Sequence, residues 1–200
     1  MRDAKVLVPG YGRPYCEGDS LDQNAPLVFT IDNVLSVDEC RGIIDRMETL
    51  GFDAAPITTA SGPVMRSDVR NNSRVMFDDP VFAKTLFDRI SPHIPQTLCD
   101  MTPVGANERF RCYRYDKDQR FAPHYDGAFI RNESERSLLT FMVYLNEDFG
   151  GGATDFHDFG ERVVPRTGMA LLFQHFLLHE GCFVTSGLKY ALRTDVMYRS

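Results

Sequence analysis

Two hundred residues, 43% of them hydrophobic and 12% aromatic, suit one compact domain with a substantial core and leave little room for a second. A formal charge of −6 and a pI near 5.3 supply no general attraction to a phosphate backbone, which disfavours nucleic acid as a partner while leaving a local basic patch open. Five cysteines (Cys16, Cys40, Cys99, Cys112, Cys182) without a Cys-x-x-Cys pair are too sparse for a disulfide scaffold, and Val6-Leu7-Val8, ended by Pro9, is too short for a signal-peptide core or a membrane span, so a cytoplasmic protein with reduced thiols and no membrane contact is expected.

Residues 1–26, rich in Gly, Pro, Asp and Asn, read as an irregular arm that covers the domain rather than forming its core. A first strand is expected over 27–31. Ser36, with Glu39 three residues later, can satisfy the exposed amides of a helix start, and Gly51 supplies its stop. Between them Cys40, Ile43, Ile44, Met47 and Leu50 recur at helical spacing, a stripe suited to packing on a sheet. Segment 56–73 is polar and aperiodic, and it brings Arg66, Arg70, Asn71 and Asn72 close to Arg74. It reads either as a solvated loop or as a mobile cover whose polar groups meet a substrate. Asp79-Pro80 opens a second helix, with aspartate as cap and proline at the first position, running to about residue 90 before Pro92 and Pro95.

From Glu108 onward short β-rich runs alternate with Gly, Asn, Asp and Pro, at 109–115, 137–145, 153–156, 162–164, 169–174 and 189–198. No fixed-period repeat is visible. Many short strands after two helices predict a β-rich α+β domain in which strands form two facing sheets and helices buttress one of them. The expected organisation is a single domain over 1–200: the arm 1–26, helical support and a substrate loop over 27–107, and a metal-binding β core over 108–200.

The chemistry concentrates at His124-Tyr125-Asp126. On an extended strand, residues two apart share a face, so His124 and Asp126 can point into one cavity. A histidine from a distant strand, His179 or its competitor His175, would complete a two-histidine, one-carboxylate face that leaves the far side of an iron(II) ion open.

The surrounding blocks are Tyr113-Arg114-Tyr115, Gln119-Arg120-Phe121-Ala122-Pro123-His124-Tyr125-Asp126-Gly127 and Thr140-Phe141-Met142-Val143-Tyr144-Leu145-Asn146. They continue with Gly151-Gly152-Ala153-Thr154-Asp155-Phe156, His179-Glu180-Gly181 and Gly187-Leu188-Lys189-Tyr190-Ala191-Leu192-Arg193. In order and spacing they resemble the iron(II)- and 2-oxoglutarate-dependent dioxygenases, specifically the prolyl 4-hydroxylase-like branch, over roughly half the chain.

That resemblance implies a double-stranded β-helix, or jelly-roll, core. It implies Fe(II) held by His124, Asp126 and His179, with 2-oxoglutarate and O2 as co-substrates and ascorbate as an optional reductant. His179 is preferred to His175 because it alone sets Lys189 at the family spacing and precedes the Glu-Gly step. Lys189 is the expected anchor for the far carboxylate of 2-oxoglutarate and Arg193 the runner-up; four strand residues at ~3.3 Å each set their backbones roughly 13 Å apart, so the two need not share a group. Tyr115 is the expected hydroxyl donor, Tyr113 shares its face, and Thr140 and Thr154 are candidates to line the same pocket. Gly151-Gly152 reads as a tight bend near the site or as an ordinary hairpin turn. The implied reaction is hydroxylation of an unactivated C–H bond on a peptidyl residue or a small molecule, releasing succinate and carbon dioxide. Collagen-type prolyl hydroxylases usually carry a tryptophan well after the lysine; this chain has none and places Asp195 in that region, which leaves the substrate open. Two other readings are a non-catalytic module that senses metal or 2-oxoglutarate, and a cupin-like metalloenzyme that uses no 2-oxoglutarate. Oligomeric state is not legible.

Overall fold

Alternation along three long strands decides how the chain is layered, because successive side chains leave a strand on opposite faces. In the computed structural model, which describes residues 1–13, 15–59 and 62–200, strand Glu135–Tyr144 turns Leu139, Phe141 and Val143 toward one side and Thr140, Met142 and Tyr144 toward the other. Strand Lys189–Arg199 does the same, with Tyr190, Leu192, Val196 and Tyr198 on the first side and Lys189, Ala191, Arg193 and Asp195 on the second. In strand Arg109–Tyr115, Phe110 and Cys112 join the first side, while Arg111, Tyr113 and Tyr115 join the second.

The first side is covered by two helices. Helix α1 (Val37–Leu50) starts with the expected capping box, Ser36 accepting from the Glu39 amide and Glu39 from the Ser36 amide, and stops at Gly51. Helix α2 (Pro80–Ile90) is capped by Asp79 and buries Ala83, Leu86 and Ile90. These meet the apolar side of the sheet, with the buried thiols of Cys40 and Cys112 between them. Leu50, expected in the α1 stripe, lies instead at the exposed C-terminal end of the helix and outside the core cluster.

The large sheet is antiparallel and runs in the order Ala4–Val8, Val28–Ile31, Ala170–Gln174, Glu135–Tyr144, Lys189–Arg199, Arg109–Tyr115, Ser73–Asp78 and Asp53–Ala54. A smaller sheet, in the order Glu161–Val163, Thr154–Phe156, His179–Gly181 and Phe121–His124, faces its second side, where Phe156 meets Phe173 edge-on at 5.1 Å. This is the jelly-roll arrangement. None of the described helices is long and apolar enough to cross a membrane.

Four expectations are corrected. The arm 1–26 is not wholly irregular: Ala4–Val8 pairs with Val28–Ile31, a strand buried along its length whose backbone would otherwise present an unpaired edge. Within 56–73, Ile57–Thr59 and Gly62–Val64 form an antiparallel pair, and the following stretch is pinned by Ala122 N to Val69 O (2.8 Å) and Arg120 N to Asn71 Oδ1 (2.8 Å). Pro14 in the expected arm, and Ala60 and Ser61 in the expected loop, lie outside the described residues. The strand carrying His124 ends there, so Asp126 projects from the loop that follows rather than from the same strand. Finally, Ser73–Asp78 and Thr102–Ala106 were not expected as strands, and the strands expected to carry His124 and His179 run only over Phe121–His124 and His179–Gly181, four and three residues, too few for period-two alternation to mark their bounds.

Gly168 holds the turn entering Ala170–Gln174 against the start of α1. Its carbonyl accepts from the amides of Val34 and Leu35, its φ is +77°, and an added Cβ would stand 2.0 Å from the Leu35 carbonyl oxygen. Gly168→Ala is therefore expected to cost roughly 2–4 kcal/mol, strain plus a backbone clash, read as a lower urea midpoint; an unchanged midpoint would refute the account.

Candidate active site

His179 sits opposite His124 in the register of the smaller sheet, which sets the two imidazoles side by side with ring centroids 4.2 Å apart. Each is oriented identically. His124 Nδ1 faces the carbonyl of Ala122 at 2.8 Å, and His179 Nδ1 faces that of Leu177 at 3.0 Å. A carbonyl can only accept, so Nδ1 carries the proton in both rings and Nε2 keeps its lone pair. The two Nε2 atoms lie 3.8 Å and 3.7 Å from the carboxylate oxygens of Asp126. Burial pushes the His124 pKa down to about 3 and lowers that of His179 as well, so both rings are neutral at physiological pH.

Asp126 is buried, yet it stays ionised: burial is the largest single influence and opposes the charge, but the guanidinium of Arg193, 3.0 Å from Oδ1, the two histidines and the Thr140 hydroxyl together outweigh it and hold the pKa well below the usual carboxylate range. Thr140 donates to Oδ2 at 2.7 Å. With its proton so committed, Thr140 Oγ1 accepts from His175 Nδ1 (3.0 Å), and His175 Nε2 accepts in turn from Ser137 (2.7 Å). His175 thus stands behind Asp126, away from the open face formed with His124 and His179. That face, with ligand atoms all within 4.8 Å of one another, offers two neutral imidazole nitrogens and one carboxylate, a donor set that fits iron(II).

Lys189 stands at the other end of the same pocket. It is 3% exposed, donates to the Gly152 carbonyl at 2.6 Å and lies 5.2 Å and 5.3 Å from the ring centroids of Tyr115 and Tyr144. No carboxylate partners it among the described residues, and burial lowers its pKa to about 8. Gly152 has φ +65° and would set a Cβ 3.1 Å from the lysine stem, so the bend there needs glycine. Burial raises the Tyr115 pKa to about 12, which keeps its hydroxyl a donor.

The other expected co-substrate residues lie further along. Arg193 is engaged by Asp126 and, at 3.3 Å, by Asp195, and Thr140 is committed to Asp126. Asp195 is 1% exposed and also pairs with Arg111 at 3.2 Å. Tyr113 is surrounded by arginines: burial would raise its pKa, but Arg70, Arg193 and Arg111 together bring it below the ordinary value.

Two neighbours were missed from the sequence. Tyr144, whose hydroxyl bonds Thr154 Oγ1 at 2.7 Å beneath Lys189, follows Thr140 and Met142 in strict alternation, a signal that was legible. Arg70 was seen only as part of a polar loop, whereas it is 5% exposed and stacked between the rings of Tyr113 (4.5 Å) and Phe121 (4.3 Å). A cleft of about 550 Å³ opens beside the face of His124 and Asp126, lined also by Arg70, Arg111, Phe129 and Arg193.

Residues 110–194 match the model of the 2OG-Fe(II) oxygenase superfamily. A putative prolyl 4-hydroxylase of Acanthamoeba polyphaga mimivirus is 25% identical over 183 residues, covering 81% of this chain and 70% of that protein. Probable prolyl 4-hydroxylase 3 of Arabidopsis thaliana is 26% identical over 199 residues, covering 83% and 67%. The fold is shared with the viral collagen prolyl hydroxylase of Paramecium Bursaria Chlorella virus-1 (TM-score 0.61, 22% identity, covering 92% of this chain and 99% of that one). It is shared also with a Pseudomonas putida prolyl-4-hydroxylase (TM-score 0.58, 18% identity, covering 86% and 93%).

Proposed function

We propose that the chain is a member of the 2OG-Fe(II) oxygenase superfamily, whose model matches residues 110–194, and that it is a hydroxylase acting on an unactivated C–H bond of a peptidyl residue or a small molecule. The observation that carries this reading is the meeting of three oriented donors, His124 Nε2, His179 Nε2 and the Asp126 carboxylate, with a buried, uncompensated Lys189 in one pocket. Iron(II) with 2-oxoglutarate and O2 supplies the oxidising equivalent, releasing succinate and carbon dioxide.

The chain's own residues do the rest. His124 and His179 present fixed tautomers, and Thr140 orients Asp126. Lys189 and Tyr115 would hold the far carboxylate of 2-oxoglutarate by charge-assisted hydrogen bonds in a site where Phe121 and Phe173, at 3.5 Å and 4.5 Å from the ring centroids of His124 and His179, exclude water. The substrate enters by the cleft beside Asp126. Residues 1–200 act as one catalytic domain, and the buried thiols of Cys40 and Cys112 suit a cytoplasmic setting.

Anaerobic addition of Fe(II) and 2-oxoglutarate should produce the visible charge-transfer band of the chelate, and admission of air should then yield succinate. Absence of both signals would sink the proposal.

A further inference from the structure

The arginines around Tyr113 outnumber their counterions. On the inner side of the large sheet and its bounding loop stand Arg70, Arg74, Arg111 and Arg193, of which Arg111 and Arg193 face the carboxylates of Asp126 and Asp195. Arg111 pairs with Asp195, and Arg193 with both acids. Arg70 and Arg74 pair with no acid among the described residues. Arg74 is the register partner of Tyr113, which puts its side chain on the same face. Arg70 is 95% buried by its 5% exposure; its Nε donates to Asn72 at 2.8 Å, and its Nη2 has no hydrogen-bond partner.

Two aromatic faces favour a guanidinium, but they are not a counterion. Holding an uncompensated cation out of water beside three like charges is costly unless an anion joins it. Binding of the metal and co-substrate does not relieve the excess, since a dication and a dianion add no net charge. Lys189, at the pocket's far end, only widens it.

We propose that the cleft beside Asp126 selects a substrate carrying a carboxylate, received by Arg70 and Arg111 with Arg74 adding positive charge on the same face behind them, so that the bond to be hydroxylated is positioned by an ion pair. This rests on the oxygenase reading for the reaction and on the arginines alone for the binding. A planar guanidinium matches a carboxylate with two parallel hydrogen bonds, which gives orientation as well as affinity.

The test is calorimetric titration of the protein, metal-free and again loaded with Mn(II) and N-oxalylglycine, with N-acetyl derivatives of proline, leucine and phenylalanine and with the amide of each. At least one acid is expected to bind about tenfold or more tighter than its amide, the order set by a charge-assisted hydrogen bond. That preference should collapse in Arg70→Leu and in Arg74→Gln; the second variant, at a half-buried and unpaired side chain, tests the idea even if the first fails to fold. A merely structural Arg70 would weaken acid and amide alike and leave their ratio unchanged, which would overturn the proposal. So would amides binding as tightly as every acid, or inorganic phosphate binding more tightly than all of them. Acid preference without a 2-oxoglutarate chelate band would uphold the site and sink the oxygenase reading instead.

Discussion

Lys189→Met is expected to weaken 2-oxoglutarate binding by roughly a hundredfold or more while making the ligand-free protein more stable at neutral pH. Both effects come from one amine buried without a carboxylate partner among the described residues. Bound 2-oxoglutarate would lose its charge-assisted contact and keep a buried, unpaired carboxylate. In the free protein the same amine is a burden, because burial lowers its pKa from 10.5 to about 8. Below pH 8 the folded state must carry that charge out of water. Between pH 8 and 10.5 the unfolded chain still binds a proton that the folded chain has shed, so wild-type stability from this group rises with pH. The full shift corresponds to roughly 3 kcal/mol, and losing the bond to the Gly152 carbonyl offsets about 1 kcal/mol of it. Urea unfolding should therefore find the variant ahead at pH 7, with the gap closing toward pH 10.5. A gap that does not change with pH would refute the burial argument, and undiminished 2-oxoglutarate binding would move the anchor to Arg193.

Asp126→Asn is expected to abolish succinate formation and to reduce Mn(II) affinity by at least about a hundredfold, beyond the effect of losing a group that merely supports a ligand. The substitution keeps the size of the side chain, so it isolates the charge. Both carboxylate oxygens face donors, Thr140 at Oδ2 and Arg193 at Oδ1. An amide must turn its own NH2 toward one of them, which leaves donors facing each other whichever way it lies. Breaking a buried ion pair from one side typically costs 3–5 kcal/mol, and the retained contact of Arg193 with Asp195 reduces that to roughly 2–4 kcal/mol here. Thr140→Val, which removes only the orienting hydroxyl, should fall between, at about 10–100-fold in metal affinity. Wild-type Mn(II) affinity in Asp126→Asn, measured by electron paramagnetic resonance, would remove Asp126 from the metal site.

The parts of this protein that were readable in advance are those with a local physical signature. Both helices announce themselves by caps, Ser36 with Glu39 and Asp79 with Pro80, and the three long strands by alternation over seven or more residues. The short strands of the smaller sheet have no such signature, since Phe121–His124 exists because it pairs with His179–Gly181, and that strand in turn with Thr154–Phe156, across long stretches of chain. The strand placement of Asp126 failed for a related reason: a His-x-Asp spacing shows that two side chains are near each other, and it does not show where the ladder stops.

Local sequence therefore determined which residues carry chemistry, because residue type and spacing limit what a side chain can donate, accept or ligate. Tertiary structure decided their partners. It set His175 behind Asp126 rather than on its open face, gave Arg193 to two acids, and left Lys189 and Arg70 buried without any among the described residues. Those outcomes depend on the strand register and on the loop pinned across Phe121, which are collective properties of contacts between residues far apart in the chain. Charge balance is such a property too: the chain as a whole is acidic at −6, and only its fold reveals a cleft with more arginines than carboxylates.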